Sequence, residues 1–365
     1  MFATALKRAP GLCAAAATAA GGTAVASQLP SELHISGIPV SIVLGACAGN
    51  AAPAALKEAL KPGVAFATST VLRSGIVAVG AKLSAAQVLA LGWTTVPAAA
   101  CSVGAGCLVI PALAARAGLA PRLGALLAAG TSICGVTAIG ADAAAAIGRA
   151  QAEVAVAVAN VVAFGSAGML AYPHAAARLF PADDSSHVGL FLGLAVHDTA
   201  QVMGCAASYA EQYSDAAVVG AAAVAKLTRN VFLAGVVPLM ALKHGGAASG
   251  KSIAAAVPSF VAGFVGMSAV RSLGDYQVAS GGKALGLLDA DDWKRQADWV
   301  GAVLGTKVLL ATGLAGVGLS VDFNAFKSAG VRPFAVGAAG ATIVGGVGLS
   351  TALLLSHLNR PATAP

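Results

Sequence analysis

Charge is what this sequence has least of: charged residues make up 10% of 365 positions and aromatics 5%. A soluble globular domain draws about one-quarter of its residues from the charged set. This chain therefore cannot cover a water-facing surface, which excludes a soluble globular fold. Also missing is any CxxC spacing. The six cysteines (Cys13, Cys47, Cys101, Cys107, Cys134 and Cys205) lie in or beside apolar runs, so a disulfide framework or zinc site is not expected. No basic patch interleaved with aromatics accompanies the net charge of +7, so no nucleic-acid partner is expected. Lys and Arg instead lie between apolar runs, where they orient helices in a bilayer. No serine or cysteine sits in a hydrolase motif, so the expectation is a protein that is no enzyme, with no cofactor and no metal. The Gly-rich runs 313–318 and 345–348 follow no strand and read as packing glycines, not nucleotide loops.

What is present is apolar and small. Hydrophobic residues reach 58%, mean hydropathy is +0.82, and glycine alone supplies 45 residues. Small residues let membrane helices approach closely, which points to an all-α polytopic bundle. Spans of about 20 apolar residues are expected near 10–28, 36–52, 64–82, 94–114, 121–143, 151–172, 187–207, 214–242, 252–271, 297–318 and 333–356. That makes about 11 transmembrane helices in a single domain covering 1–365. The first is a soft, acid-free run that also reads as a targeting peptide; the helix is preferred. With a cytoplasmic N-terminus, Lys and Arg are in excess on the inner side. The plasma (inner) membrane is the expected location, an organelle membrane the alternative, and a homodimer is admitted.

Apart from the first, the spans divide five and five, into repeats of about 36–172 and 187–356. An odd number per repeat inverts one half relative to the other, the arrangement of many secondary transporters. The fourth span of each half is rich in glycine and small polar residues: Thr131, Ser132, Cys134, Gly135 and Thr137 in the first, Gly305 to Gly318 in the second. Both are expected to be broken helices that cross, their freed backbone groups lining a cavity.

Ionisable residues inside apolar runs need a reason, because each costs roughly 2.5–3.5 kcal/mol at a helix centre. His197, Asp198 and Gln201 interrupt one such run. On a continuous helix His197 and Asp198 diverge by about 100°, which argues for ion coupling, or for polar ties between helices, over a catalytic dyad. Lys226 and Arg229 share a face three apart and would repel unless an anion intervenes. Asp198 or an anionic substrate could serve. Arg73 and Lys307 are single intramembrane cations, each readable as a helix-pairing partner or a pathway residue, and Asp142 is a partner for Lys307.

Taken in order, Leu72-Arg73-Ser74-Gly75, Gly130-Thr131-Ser132-Ile133-Cys134-Gly135, His197-Asp198-Thr199-Ala200-Gln201 and Lys226-Leu227-Thr228-Arg229 resemble the YeiH-type sulfate exporter family over roughly 36–356. The acid after His197 is Asp where the family commonly has Glu, and the usual Pro after the ICG segment is absent. The resemblance implies the fold of bile acid/sodium symporters and sodium/proton antiporters, with two broken helices crossing near the midplane and a core moving against a panel. The expectation is a secondary transporter exporting or exchanging a small sulfate-like or sulfonate-like anion. Thr131, Ser132, Cys134, Gly135, Thr137, Lys226, Arg229 and Arg73 would bind substrate. His197, Asp198, Gln201, Asp142 and Lys307 would handle a coupling Na+ or H+. A cation/proton antiporter is the alternative; a membrane-embedded enzyme or a structural membrane protein ranks lower.

Overall fold

The computed structural model describes residues 2–30, 36–82, 85–135, 138–139, 151–232, 235–236, 259–323 and 330–359. In chain order its helices are α1 (Phe2–Ala26), α2 (Gly37–Ala51), α3 (Ala54–Lys82), α4 (Ala85–Arg116), α5 (Pro121–Ala129), α6 (Gln151–Leu179), α7 (Ser185–Ala195), α8 (Thr199–Gln212), α9 (Ala217–Val231), α10 (Ser259–Ala279), α11 (Ala290–Leu319) and α12 (Val331–Asn359). Among the described residues there is no β-strand, only an isolated bridge between Ala284 and Leu288. Among the described residues, six stretches are long and apolar enough to cross a membrane: Leu6–Ala26, Ala54–Lys82, Thr94–Arg116, Glu153–Leu179, Ala290–Leu319 and Val331–Asn359. α2 and α7 are apolar but shorter.

The chain divides into two compact units, each drawing on both halves of the sequence. The first comprises 1–90, 207–220 and 258–322; the second comprises 91–206, 221–257 and 323–365. In the first unit α1 crosses α3 where Gly11 lies against the Leu60 carbonyl and Gly63 against that of Arg8. A Cβ at either glycine would come within 2.1 Å of backbone, so only glycine permits this crossing. In the second unit the core is Ile110, Leu127, Ile133, Ile139, Val161 and Val344, all fully buried. In lipid such contacts stabilise mainly through packing, because the tails are as apolar as the side chains.

Two features differ from the sequence expectation. The stretch 305–318, expected to be broken, lies within α11, which runs unbroken to Leu319. Its polar groups are satisfied locally: Thr306 Oγ1 donates to the Gly301 carbonyl at 3.0 Å. Conversely, the expected continuous span 187–207 is divided. α7 ends at Ala195 and α8 begins at Thr199. α10 ends at Ala279 and α11 begins at Ala290. Asp275 on α10 accepts from Arg271 Nε at 2.9 Å and from Trp293 Nε1 at 2.8 Å.

Candidate functional site: two interrupted helices and a buried basic pair

The second unit contains both interruptions. α5 starts with Pro121 at its first turn, where the missing N–H costs nothing. It continues through a wide turn, Gly130–Cys134, closed by Gly135 N–H donating to the Gly130 carbonyl at 3.0 Å. Gly135 then takes φ +68° and ψ −131°, a conformation that L side chains avoid. Space imposes the same choice, because a Cβ there would sit 2.6 Å from Asp198 Oδ2 and 2.8 Å from Asp198 Cα. The first interruption thus rests directly on the second.

The second interruption spans Val196 to Asp198. α7 begins with Asp184 accepting from His187 N–H and ends where Val196 turns extended, at φ −84° and ψ 141°. α8 then starts under its own cap. Asp198 Oδ1 accepts from Ala200 N–H at 2.9 Å, while Gln201 Oε1 accepts from Asp198 N–H at 3.3 Å. The two bonds make a capping-box variant, D-x-x-Q, in which the cap accepts from the second residue of the helix in place of the third. Gln201 Nε2 further reaches the Val162 carbonyl and Ser166 Oγ on α6, both at 3.2 Å. His197 precedes the helix that carries Gln201. His197 is buried, and among the described residues its Nδ1 has no hydrogen-bond partner.

Breaking two helices leaves their last carbonyls without intrahelical partners. Lys226 and Arg229, both fully buried, supply the donors. Lys226 Nζ donates to the Ile133 carbonyl at 2.7 Å, to that of Val196 at 3.4 Å, and closely to that of His197. Arg229 Nε donates to Ser132 O at 2.5 Å, Nη1 to Leu194 O and to Val196 O at 3.2 Å, and Nη2 to Thr131 O. The approach of α9 that makes this reach feasible depends on Gly193, where a Cβ would lie 2.5 Å from Ala225 Cβ.

The arrangement explains how two cations can lie side by side in an apolar interior. Each helix C-terminus carries about half a negative charge. Two such ends together offset about one unit of the positive charge on Lys226 and Arg229. It also corrects the expected use of Thr131 to Gly135: they lie at the carbonyl end of their half-helix, so their backbone faces cations and offers no N–H cradle to an anion. Removing either cation would leave several buried carbonyls unpaired, each costing about 1–3 kcal/mol.

Of the residues picked out from sequence, Thr131, Ser132, Cys134, Gly135, His197, Asp198, Gln201, Lys226 and Arg229 fall in the second unit. Arg73 and Lys307 fall in the first. Arg73 is exposed, its guanidinium 5.8 Å from the Phe260 ring centroid, and Lys307 is exposed on α11. Thr137 and Asp142 lie outside the described residues. Sequence reasoning missed Thr199 and Asn230, whose side chains meet at 3.5 Å beside Asp198, with Asn230 Oδ1 buried and without a partner among the described residues. The signal for the break was legible, since Asp198 and Gln201 carry capping-box spacing inside an apolar run.

Among the described residues, an all-helical architecture, six membrane-length apolar helices and a buried basic pair on interrupted helices define an integral, multi-pass membrane protein. Residues 10–337 match the family model described as "Conserved hypothetical protein 698". The UPF0324 membrane protein of Pseudomonas aeruginosa is 30% identical, the alignment covering 90% of this chain and 89% of that protein. The UPF0324 membrane protein of Ralstonia nicotianae is 32% identical over 72% of this chain and 74% of its own. That of Bacillus cereus is 29% identical over 88% and 85%. The chain belongs to the UPF0324 family, the same family as the YeiH-type proteins it resembles. No solved structure matches it.

Proposed function

We propose that this protein is a secondary transporter of a small anion, sulfate-like or sulfonate-like, working by alternating access in a bacterial-type inner membrane. The observation that carries the reading is the pair of interruptions in the second unit with Lys226 and Arg229 buried on them. Interrupted helices inside a membrane protein are tolerated where they are buried in protein or line a cavity, and transporters use them to build substrate and ion sites. That each compact unit takes segments from both halves of the chain supports a two-part machine of this kind.

Charge favours an anion over a cation. A cation reaching the breaks meets two fixed positive charges and one carboxylate. An anion reaching the start of α8 meets the half-buried Thr199 and the amide of Asn230 at a positive dipole end. Asp198 already occupies that helix start, so anion entry requires its charge to be neutralised. A proton on Asp198 does this, with His197, Cys134, Lys226 and Arg229 the other titratable groups around it. The transported unit is then an anion together with a proton.

The test is net uptake into proteoliposomes, with labelled sulfate and a labelled sulfonate offered separately and internal pH followed by a trapped dye. Anion accumulation accompanied by acidification inside the vesicles, with that acidification lost in Asp198→Asn, is the expected result. Sodium- or potassium-driven proton exchange without movement of either anion would establish the antiporter reading instead.

A further inference from the structure

We propose that the Lys226 ammonium permanently fills the position in which transporters built on interrupted helices hold a coupling sodium ion, so that transport by this protein needs no sodium. In such folds, unwound carbonyls and half-helix C-terminal ends coordinate the coupling cation. Here the carbonyls of Val196 and His197, from the break after α7, and of Ile133, from the last turn of α5, converge on one nitrogen. Two separate helix ends thus build one cage, and its occupant is covalently part of α9.

Three features make the occupancy permanent. An ammonium has three donors, and three carbonyls take them. The side chain is fully buried, and Arg229 covers the neighbouring carbonyls of Thr131, Ser132 and Leu194 and shares that of Val196. Finally, a tethered cation enters the cage without the translational entropy loss that a free sodium ion must bear. Lysine suits this role better than arginine, being a compact point charge on a flexible stem. Of the two coupling ions expected from sequence, this removes sodium and leaves the proton. The functional half of the inference rests on the transport reading above; the occupied ion site stands apart from it.

The experiment uses purified full-length protein in detergent. Thermal midpoints are compared in sodium, potassium, methylammonium and choline chloride at equal ionic strength, and binding of labelled sodium is measured directly. Wild type is expected to melt at the same temperature in all four salts and to bind no sodium saturably. Lys226→Ala is expected to melt lower in choline and to recover by about 3 °C or more in sodium or methylammonium chloride, as a vacated cage takes up a free cation. Saturable sodium binding or stabilisation in wild type overturns the proposal, as does a folded Lys226→Ala protein that responds to none of the cations. Should Lys226→Ala fail to yield monodisperse protein, the wild-type sodium titration decides by itself. Absence of anion flux with these binding results intact would sink the transport reading and leave the filled site standing.

Discussion

The stretches 185–212 and 290–319 are both apolar and glycine-bearing and carry polar residues, yet one is cut in two and the other is continuous. α11 contains Gly301, Gly305, Gly313, Gly316 and Gly318 and never breaks. The α7–α8 stretch breaks at Val196 to Asp198, where no glycine lies. Glycine content therefore does not determine interruption. What distinguishes the broken stretch is a supply of partners: Asp198 and Gln201 cap the new start, and Lys226 and Arg229 satisfy the abandoned end. In a bilayer interior a freed carbonyl has no water to turn to, so a break persists only where donors are provided.

The largest expected effect comes from removing those donors. Arg229→Met leaves the carbonyls of Thr131, Ser132, Leu194 and Val196 without their guanidinium, a loss of about 3–5 kcal/mol by analogy with a broken buried pair. Thermal melts and size-exclusion profiles should show a strongly destabilised or aggregated protein. The matched change in the first unit, Arg73→Met, removes an exposed cation–π contact and should cost no more than about 1 kcal/mol. Equal losses in the two variants would erase the contrast.

Gly135→Ala comes next. It forces a side chain into φ +68° and against Asp198, so backbone strain of about 1–3 kcal/mol adds to the clash. Gly346→Ala on α12, where a Cβ meets nothing within 4 Å, should melt within about a degree of wild type, a near-neutral change on the scale of thermal shifts. A smaller loss, about 1 kcal/mol, is expected for Gln201→Leu, which removes half of the capping box. Gln201→Glu keeps the acceptor for Asp198 N–H and should recover part of it.

The smallest effect concerns the cap that starts α7. Burial alone would push the Asp184 carboxyl up, but hydrogen bonds from Ser356 and His187 outweigh it and hold the group below its ordinary range. A carboxyl lowered on folding stabilises above its unfolded value of about 4, and that contribution is lost as pH falls through the lower folded value. Ser356→Ala should narrow this acid-side loss in melts taken between neutral pH and pH 3. Unchanged acid sensitivity would show that the Ser356 contact does not set it.

Much of the fold was legible because membrane helices announce themselves through composition. Each expected span coincides at least in part with a helix, although their ends moved, as with α3, which starts at Ala54 and passes through Pro62. Lys226, Arg229, His197 and Asp198 were legible for a related reason: charge inside an apolar run is costly enough to mark itself. Their partners were not. The expectation paired two cations with a carboxylate or a substrate, whereas backbone carbonyls carry most of the contact. Carbonyls are present at every residue, and only the break frees them. The supposed symmetry between 130–140 and 305–318 misled because it counted glycines and overlooked the capping-box spacing from Asp198 to Gln201.

The most direct test is an experimental density map of the wild-type protein resolved to side chains over 121–135, 185–212 and 217–231. The expected map shows α7 ending before Val196, Gly135 against Asp198, and the Lys226 ammonium on the carbonyls of Ile133, Val196 and His197. A continuous helix through 196–198, or Lys226 turned away from those carbonyls onto a carboxylate, would contradict it.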